Sequence, residues 1–570
     1  MSTKFSWELN PTDTVADFGA ELNEQLPPLV RKLLTQRGIR GPHRAEQFLR
    51  PRLADLGDPF DMREMDAAVE RIFRAADHGE SVCIYGDYDV DGVSSVTLLH
   101  TILTAYGMRP TCFIPVRTKE GYGLSDDGIN HALQKCGCKP ALIITVDCGT
   151  SSVDEVAYLN SRGIDVIILD HHESSTQGRP PAVAVVNAKL EENSPMTYLC
   201  SAGVVFKLAH AMLKRRRLAD FDLRNYLDIV AIATVADIVP LVAENRLLTR
   251  HGLRIMARGG NIGLQALNEV TGLRNTPNAS HVSFRIGPRL NAAGRMDSPS
   301  DALELLMTHD VKRAQQLALC LEAHNRARQQ EEEKIRAEAT SMLECSFSPA
   351  NDRVIVLGSR TWHPGVVGIV ASLLMRRYHK PTFIISLDEN GLGKGSGRSI
   401  PGVSLVQAIH ECADTLVSGG GHEMAAGLVI REEMIDKFRE AFDNFVQENT
   451  SEEQLKPKLR IDAEVEFRDL TLELLDSYEL MEPFGNANPQ PVFMSRNVML
   501  SDAPRRLQNH LKLSLRQNNY ECDAMYFNGG NIPLPDPPWD IAFTIDRNVW
   551  RGRTTLSMSI QDIRPSQTHP

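Results

Sequence analysis

The chain has 570 residues, more than one hydrophobic core usually organises, and its 42% hydrophobic content is enough for about three or four domains. It has no run of about 18 apolar residues, and residues 1–10 lack the layout of a signal peptide, which argues against membrane insertion and predicts a cytoplasmic protein. A net charge of −11 argues mildly against a nucleic-acid partner, but cation-binding carboxylates and local basic clusters leave that partner open.

Residues 49–300 form the first predicted domain, after an N-terminal helical segment over residues 1–48. Between 81 and about 240, β-branched runs alternate with helical stretches, and the runs are "SVCIY", "TCFIPV", "ALIITV", "DVIIL" and "AVAVV". This alternation predicts a parallel sheet with helices packed on its faces.

Residues 301–348 contain little Gly or Pro and are predicted to form a helix that connects two domains. The stretch 311–344 alone would be about 50 Å long as a helix. A second, smaller α/β pattern follows over 349–450, and the polar segment "TSEEQLKPK" predicts a boundary after it. Over 455–570, short strand-like runs separated by turn residues predict a small β-barrel or sandwich. The ten cysteines follow no framework spacing, which predicts reduced thiols.

Residues of the metal-ligand type follow three predicted strands and one predicted helix. The carboxyl ends of parallel strands meet at one edge of a sheet, so these residues are expected to share a crevice. Carboxylates this close repel one another strongly unless cations lie among them. The residues are Asp87, Asp89 and Asp91 after "VCIY", Asp147 after "IITV", Asp170, His171 and His172 after "VIIL", and Asp237 in "ATVADIVPL".

Oxygen donors with one or two imidazoles suit Mn²⁺ or Mg²⁺, and two such ions would serve hydrolysis at phosphorus. Asp147 is the residue expected to contact both ions. Taken alone, "DYDVDG" is also compatible with a calcium-type loop or a polar turn, and a His-His pair is also common at a surface. Their joint appearance at successive strand ends favours a catalytic site.

The motifs "GDYDVDG", "VDCG", "LDHHE" and "ATVADIVPL" resemble, in order and spacing, those of the DHH phosphoesterase superfamily. The resemblance implies a catalytic and metal-binding set, with His172 as a substrate-side or acid/base group. Many members begin the first motif with a histidine where this chain has Tyr85, so the individual roles within the three-aspartate loop stay open. The implied metal ligands are Asp87, Asp89, Asp91, Asp147, His171 and Asp237.

The downstream motifs "HVSFRIGPRLNAAGRM", "GKGSGRSI" and "SGGGHEMAAGL" resemble the superfamily's bacterial single-strand-specific exonucleases. That resemblance implies a DHH parallel-sheet domain, a connecting helix, a DHH-associated α/β domain and a C-terminal OB-like barrel. It also implies 5′ to 3′ hydrolysis of single-stranded DNA to 5′-mononucleotides, in recombination and repair. The implied partners are a single-strand-binding protein and a DNA helicase, and a monomer is expected.

Several further residues are candidates for binding the DNA strand. The glycines of "GKGSGRSI", together with Ser396 and Arg398, are suited to bind a terminal phosphate, and the resemblance also places these residues in such a pocket. It implies that Gly420, Gly421 and His422 face the phosphate chain, although both glycine-rich segments are also compatible with plain turns. Arg289, Asn291 and Arg295 are predicted to bind the phosphate chain or to form salt bridges between domains. Arg117 and Tyr122 are predicted to lie at the rim of the metal site, where Tyr122 could stack on a base.

Two other functions are weighed against the exonuclease. Enzymes of the same superfamily that act on small substrates, such as pyrophosphate or cyclic dinucleotides, usually lack a third, β-rich domain. The region after residue 455 therefore argues against them. A replication scaffold with a degraded site is the other alternative, and the complete acidic set argues against it.

Overall fold

The computed structural model describes residues 5–11, 14–116, 123–174, 178–273, 276–296, 299–348, 351–550 and 552–566. It divides into two compact units. The N-terminal unit comprises residues 12–325 and 472–491, and the C-terminal unit comprises residues 1–11, 326–471 and 492–570. No helix in the described part of the chain is long and apolar enough to cross a membrane.

The N-terminal unit is built on a five-stranded parallel sheet, as the alternating pattern predicted. Its order is β3-β2-β4-β5-β6, so the strand order reverses next to β2 and the crevice at that switch point lies beyond the carboxyl ends of β2 and β4. Both strands are buried along their whole length, which explains their continuous apolar sequences. The strands are β2 (Val82–Tyr85), β3 (Thr111–Phe113), β4 (Leu142–Val146), β5 (Asp165–Leu169) and β6 (Ala184–Val186).

Helices cover both faces of this sheet. Two of them approach closely at Gly252, where a Cβ atom would lie 2.1 Å from the Leu227 carbonyl oxygen. The first eleven are α1 (Ala20–Gln25), α2 (Pro28–Gln36), α3 (Pro42–Leu49), α4 (Met65–His78), α5 (Val90–Ala105), α6 (Asp126–Cys136), α7 (Val153–Ser161), α8 (Ser201–Arg215), α9 (Leu227–Ala236), α10 (Ala243–Ala257) and α11 (Ile262–Val270). Then follow α12 (Ala279–His281), a π-helical turn (Val282–Ile286), α13 (Gly287–Met296) and α14 (Ser300–Met307).

The predicted connector over 301–348 is not one continuous helix. The chain breaks after α14, and α15 spans Val311–Ser346. Asp310 sits in the break, and its side chain accepts a hydrogen bond from the Lys312 amide at 2.8 Å, so it caps a new helix. At 36 residues α15 is about 54 Å long, and the division between the two units falls within it, after Asn325.

The C-terminal unit contains a mixed five-stranded sheet of order β10-β11-β9-β8-β7. Phe383 on β8 packs edge-on against Phe438 and Phe442 of α18, which anchors that helix to the sheet. The elements are β7 (Ile355–Ser359), α16 (Val367–Tyr378), β8 (Thr382–Leu387), β9 (Leu392–Arg398), α17 (Leu405–Glu411), β10 (Ser418–Gly421), β11 (Ala425–Arg431) and α18 (Ile435–Asn449).

Five of the remaining strands of this unit close into a barrel, as predicted. One strand, β14, pairs with both β16 and β18, so β14, β18, β19, β17 and β16 form a ring. The elements are β12 (Lys458–Ile461), β13 (Ala463–Glu464), α19 (Leu472–Glu479), β14 (Phe493–Leu500), β15 (Arg505–Leu507), β16 (His510–Gln517), β17 (Tyr520–Tyr526), β18 (Trp539–Trp550) and β19 (Arg553–Pro565).

The predicted N-terminal segment 1–48 is shared between the units. Strand β1 (Ser6–Leu9) pairs in parallel with β12, and the Trp7 indole donates a hydrogen bond to Asp562 at 2.9 Å. Helices α1 to α3 instead belong to the N-terminal unit. A segment predicted as one piece therefore contributes to two cores.

Residues 472–491 lie in the sequence between two segments of the C-terminal unit, but they belong to the N-terminal unit. Arg246, a buried side chain of α10, donates to the carbonyl oxygens of Met481 at 2.7 Å and Leu480 at 3.0 Å. Arg250, one turn further on, donates to Leu480 at 2.6 Å and Glu482 at 3.0 Å. These bonds satisfy backbone carbonyls of the turn that follows α19.

A buried ion pair joins three parts of the N-terminal unit. The Lys207 ammonium on α8 is fully buried and lies 3.0 Å from a carboxylate oxygen of Glu244 on α10. It also donates to the Gly57 carbonyl oxygen at 2.9 Å, and Glu244 accepts from the Gly57 amide at 2.9 Å. Every charge in this group has a partner, so removal of one side chain leaves a buried charge without compensation.

We predict that Lys207→Ala lowers the free energy of unfolding by about 3–5 kcal/mol, because Glu244 is left buried and unpaired. The control is Lys214→Ala on the same helix, where a half-exposed ammonium pairs with Asp58 at 2.6 Å. Its loss is expected to cost less than about 1 kcal/mol. Scanning calorimetry of both variants checks the difference, and equal transition temperatures would contradict it.

Candidate metal centre

The loop between β2 and α5 carries three of the predicted aspartates. Asp89 caps α5, with its side chain accepting from the Gly92 amide at 3.0 Å. A Cβ atom at Gly92 would lie 2.4 Å from the Asp87 carbonyl oxygen, so only glycine lets the loop fold back this tightly. Asp87 and Asp91 are thereby held, buried, on either side of the cap.

The predicted ligands converge into two groups. In each group the donor atoms lie within 4.8 Å of one another; one group is Asp87, Asp89 and Asp147, and the other is Asp91, His171 and Asp237. The His171 Nε2 atom lies 3.4 Å from Asp147 Oδ1 and 3.5 Å from Asp237 Oδ2. Asp147 therefore lies next to both groups, where a ligand shared by two ions would have to lie.

Burial and mutual repulsion set the protonation of this cluster. Burial, followed by the negative charges of the neighbouring aspartates, raises the pKa of Asp147 well above its usual range. The same two causes raise the pKa of Asp237 to about 8 and that of Asp91 to about 6. Burial lowers the pKa of His171 to about 3, so its imidazole is neutral, the form that binds metals.

The arrangement fits divalent cations. His171 Nε2 and Asp237 Oδ2 are buried and have no hydrogen-bond partner within the described ranges, which is costly for polar atoms. A cation among the carboxylates would satisfy both atoms and offset the repulsion. Oxygen donors with one imidazole and no thiolate match the preference of Mn²⁺ and Mg²⁺.

The N-terminus of α8 orients this cluster. Its first two amides, of Ser201 and Ala202, donate to the two carboxylate oxygens of Asp91 at 2.7 and 2.8 Å. The Ser201 hydroxyl donates to Asp147 Oδ1 at 2.9 Å. The sequence analysis did not identify Ser201; the available signal was a "SAG" run at a predicted helix start, where amides have no partner within the helix.

Asp170 holds the second histidine of the triplet. Its Oδ1 accepts from His172 Nδ1 at 2.7 Å and from the His171 amide at 2.7 Å, and its Oδ2 accepts from the Thr150 amide at 3.0 Å. Burial works against protonation of His172, but this hydrogen bond and the charge of Asp170 outweigh it and raise the pKa to about 9. His172 is therefore a cation at neutral pH and lies within reach of Asp147 and His171.

Two of the candidate DNA-binding residues of α13 have partners within the N-terminal unit. Arg289 pairs with Glu322 of α15 at 2.6 Å, and the Asn291 Oδ1 atom accepts from the Val90 amide at 3.0 Å, which braces the aspartate loop. Arg295 lies on the same helix. The other two candidates of this unit, Arg117 and Tyr122, lie outside the described residues.

The remaining candidates meet at one end of the sheet in the C-terminal unit. Arg398 pairs with Ala425 across β9 and β11, and the His422 amide donates to the Ala425 carbonyl at 2.8 Å. Gly427 of β11 pairs with Gly420 of β10 on one side and with Ser396 of β9 on the other. Gly421 is the last residue of β10.

The structure adds the N-terminus of α16 to this group. A Cβ atom at Gly368 would lie 2.8 Å from the Ser396 hydroxyl and 3.4 Å from a guanidinium nitrogen of Arg398. The helix amides, a hydroxyl and a guanidinium thus adjoin one another, a combination that suits a phosphate. Gly368 was not among the predicted site residues; its signal in the sequence was the "HPGVVG" run at the start of the helix.

Comparisons with known proteins agree with this architecture. A model of the DHH family, N-terminal domain, matches residues 81–234, one of the DHHA1 domain matches 351–448, and one of the RecJ OB domain matches 461–562. Single-stranded-DNA-specific exonuclease RecJ of Bacillus subtilis (strain 168) is 35% identical over 100% of this chain and 72% of its own length. The chain belongs to the RecJ family.

Other members of the RecJ family give the same result. Single-stranded-DNA-specific exonuclease RecJ of Dickeya dadantii (strain 3937) is 35% identical, with 96% of this chain and 97% of that protein covered. The crystal structure of RecJ in complex with Mn²⁺ from Thermus thermophilus matches 99% of this chain and 80% of that chain, at 28% identity and a TM-score of 0.83. A structure of exonuclease RecJ bound to manganese matches 70% of this chain and 96% of that chain, at 33% identity and a TM-score of 0.59.

We predict that Ser201→Ala weakens Mn²⁺ binding by about 10- to 100-fold, because hydrogen bonds that orient a ligand contribute to metal affinity. The variant keeps the hydrogen bond from the backbone amide of residue 201 to Asp91 and loses only the hydroxyl contact with Asp147. Titration followed by the electron paramagnetic resonance of free Mn²⁺ measures the affinity. The control is Ser161→Ala, whose exposed hydroxyl donates to Tyr158; unchanged affinity in Ser201→Ala would contradict the positioning role.

Proposed function

We propose that this RecJ-family protein is a metal-dependent exonuclease that hydrolyses single-stranded DNA from its 5′ end and releases 5′-mononucleotides. The observation that carries the proposal is the convergence of two ligand groups on Asp147, 3.4 Å from His171. RecJ proteins of the same family are named single-stranded-DNA-specific exonucleases, and RecJ structures hold Mn²⁺ or Mg²⁺. The 5′ direction and the mononucleotide product rest on the family resemblance.

Two divalent cations, held by Asp87, Asp89, Asp91, Asp147, His171 and Asp237, would supply an activated water and neutralise charge at the phosphate. The protein's own groups position the metal ligands and supply a positive charge near the phosphate. Asp147 keeps the two ligand groups adjacent, and the amides of α8 fix Asp91. His172 donates a hydrogen bond from Nδ1 to Asp170. Its positive charge would stabilise the negative charge on a non-bridging oxygen of the scissile phosphate.

We propose that the 5′ end of the DNA strand binds to the C-terminal unit. Ser396, Arg398 and the α16 amides form a group suited to a terminal phosphate, and Gly420, Gly421 and His422 lie at the same end of the sheet. The five-stranded barrel is of the type that binds single strands through an exposed face. The roles of Arg289, Asn291, Arg295, Arg117 and Tyr122 in binding the strand stay predictions.

The cellular setting is proposed on the same resemblance. We infer that the protein acts in recombination and repair in the cytoplasm, as a monomer, with a single-strand-binding protein and a DNA helicase as partners. Domain bounds of 49–300, 349–450 and 455–570 stay proposals beside the two compact units.

Asp147→Ala is expected to lower hydrolysis below detection while single-strand binding stays measurable, because the change removes the shared ligand and little apolar core. The test is release of labelled mononucleotide from a 5′-labelled single strand with Mn²⁺, beside its duplex and a chelator control. Asp154→Ala, an exposed residue in the first turn of α7, is the matched control. Retained hydrolysis in Asp147→Ala would overturn the two-ion assignment.

Arg398→Ala is expected to reduce the preference for a 5′-phosphorylated end over a 5′-hydroxyl end by about tenfold, because a charge-assisted hydrogen bond is lost. The ratio of kcat/KM for the two ends measures that preference. Arg431→Ala is the control, since it lies on the neighbouring strand β11 at the opposite end of the sheet. An unchanged ratio in Arg398→Ala would refute the phosphate pocket.

A further inference from the structure

A second group of metal-ligand side chains lies where α14 and α15 meet. Cys320 and His324 are four residues apart on α15, so they lie on one face of that helix. Asp301, in the first turn of α14, faces them, and the donor atoms of all three residues lie within 4.8 Å of one another. All three are half-buried and belong to the N-terminal unit.

The separations within this group suit a tetrahedral ion. Two donors bound at about 2.0–2.3 Å from a tetrahedral zinc lie about 3.3–3.7 Å apart. Asp301 Oδ2 lies 3.2 Å from the Cys320 Sγ atom and 3.8 Å from the His324 Nε2 atom. Small side-chain rotations would therefore bring the donors to bonding distance, and a fourth position would remain for water.

The chemistry of these donors differs from that of the metal centre. One thiol, one imidazole and one carboxylate match Zn²⁺ and other borderline-soft ions, whereas the metal centre offers carboxylates and imidazole only. The guanidinium of Arg313 is a nearby cation that would oppose an ion, and it is bound to Glu304 through two hydrogen bonds of 2.6 and 2.7 Å.

We propose that Asp301, Cys320 and His324 form a three-ligand zinc site with an open fourth position, separate from the catalytic ions. The Cys320 thiol now donates its proton to Asp301. On binding, a zinc–sulfur bond forms, the sulfur–hydrogen bond breaks and the proton goes to solvent, with no change in oxidation state.

The site would fix the junction that supports α13. Glu322 lies on α15 between the two ligands of that helix and holds Arg289 of α13 at 2.6 Å. A metal link from α14 to α15 holds Glu322, and with it Arg289, in one position. The expected role is therefore to order α13 and α14 without taking part in hydrolysis.

Cobalt(II) in place of zinc gives a readout that the metal centre cannot produce. A thiolate bound to Co²⁺ absorbs strongly in the near ultraviolet, and the ligand set of the metal centre contains no cysteine. Titration of the 570-residue chain with Co²⁺ is expected to produce this band with the intensity of one cobalt–thiolate bond per chain, and excess Zn²⁺ should abolish it. Exonuclease activity plays no part in this readout.

Cys320→Ser is expected to lose the band, while Cys345→Ser, a change at an exposed cysteine on the same helix, keeps it. His324→Gln and Asp301→Asn should weaken Co²⁺ binding at this site at least tenfold. No band in the unmodified protein, or a band that persists in Cys320→Ser, would overturn the proposal.

A second measurement needs no variant and covers the case in which Cys320→Ser fails to fold. Iodoacetamide alkylation of Cys320, followed by peptide mass spectrometry, is expected to slow at least tenfold in saturating Zn²⁺, because a metal-bound thiolate is protected. Alkylation of Cys345 in the same sample is the internal reference. Equal slowing of both cysteines, or no slowing at Cys320, would contradict the site.

Discussion

Repulsion among buried carboxylates is the constraint on which the N-terminal unit depends. Parallel pairing of β2 with β4 places Asp87, Asp91 and Asp147 at the same edge of the sheet, and burial removes the water that would screen them. The α8 amides of Ser201 and Ala202 and the Ser201 hydroxyl partly offset this repulsion by donating hydrogen bonds to Asp91 and Asp147. Cations complete the balance, so metal binding and order in this crevice are linked.

The sequence was informative wherever a short-range pattern determined the outcome. Asp147 and His171 each follow a short, β-branched apolar run that favours a buried strand, and the carboxyl ends of neighbouring parallel strands lie at the same edge of a sheet. The barrel was predictable for the same reason, because alternating residues and turns recur at short intervals. Capping at Asp310 was missed because three residues sufficed to end one helix and start another.

The parts that escaped prediction depend on contacts between distant segments. Ser201 reaches Asp91 across 110 positions, and Asn291 reaches Val90 across 201. No local pattern encodes such a pairing. Asn291, a candidate for either the DNA strand or a contact between domains, accepts a hydrogen bond from the Val90 amide at the start of α5, and its role in binding DNA stays a prediction.

The chain passes between the two units more than once, and this has a consequence for folding during synthesis. Arg246 and Arg250 leave the ribosome more than 200 residues before their acceptors at Leu480 and Met481. Until then these guanidiniums have no native carbonyl to bind, so the N-terminal unit stays open to water at α10. Its final closure waits for residues 472–491, which are translated after the connecting helix.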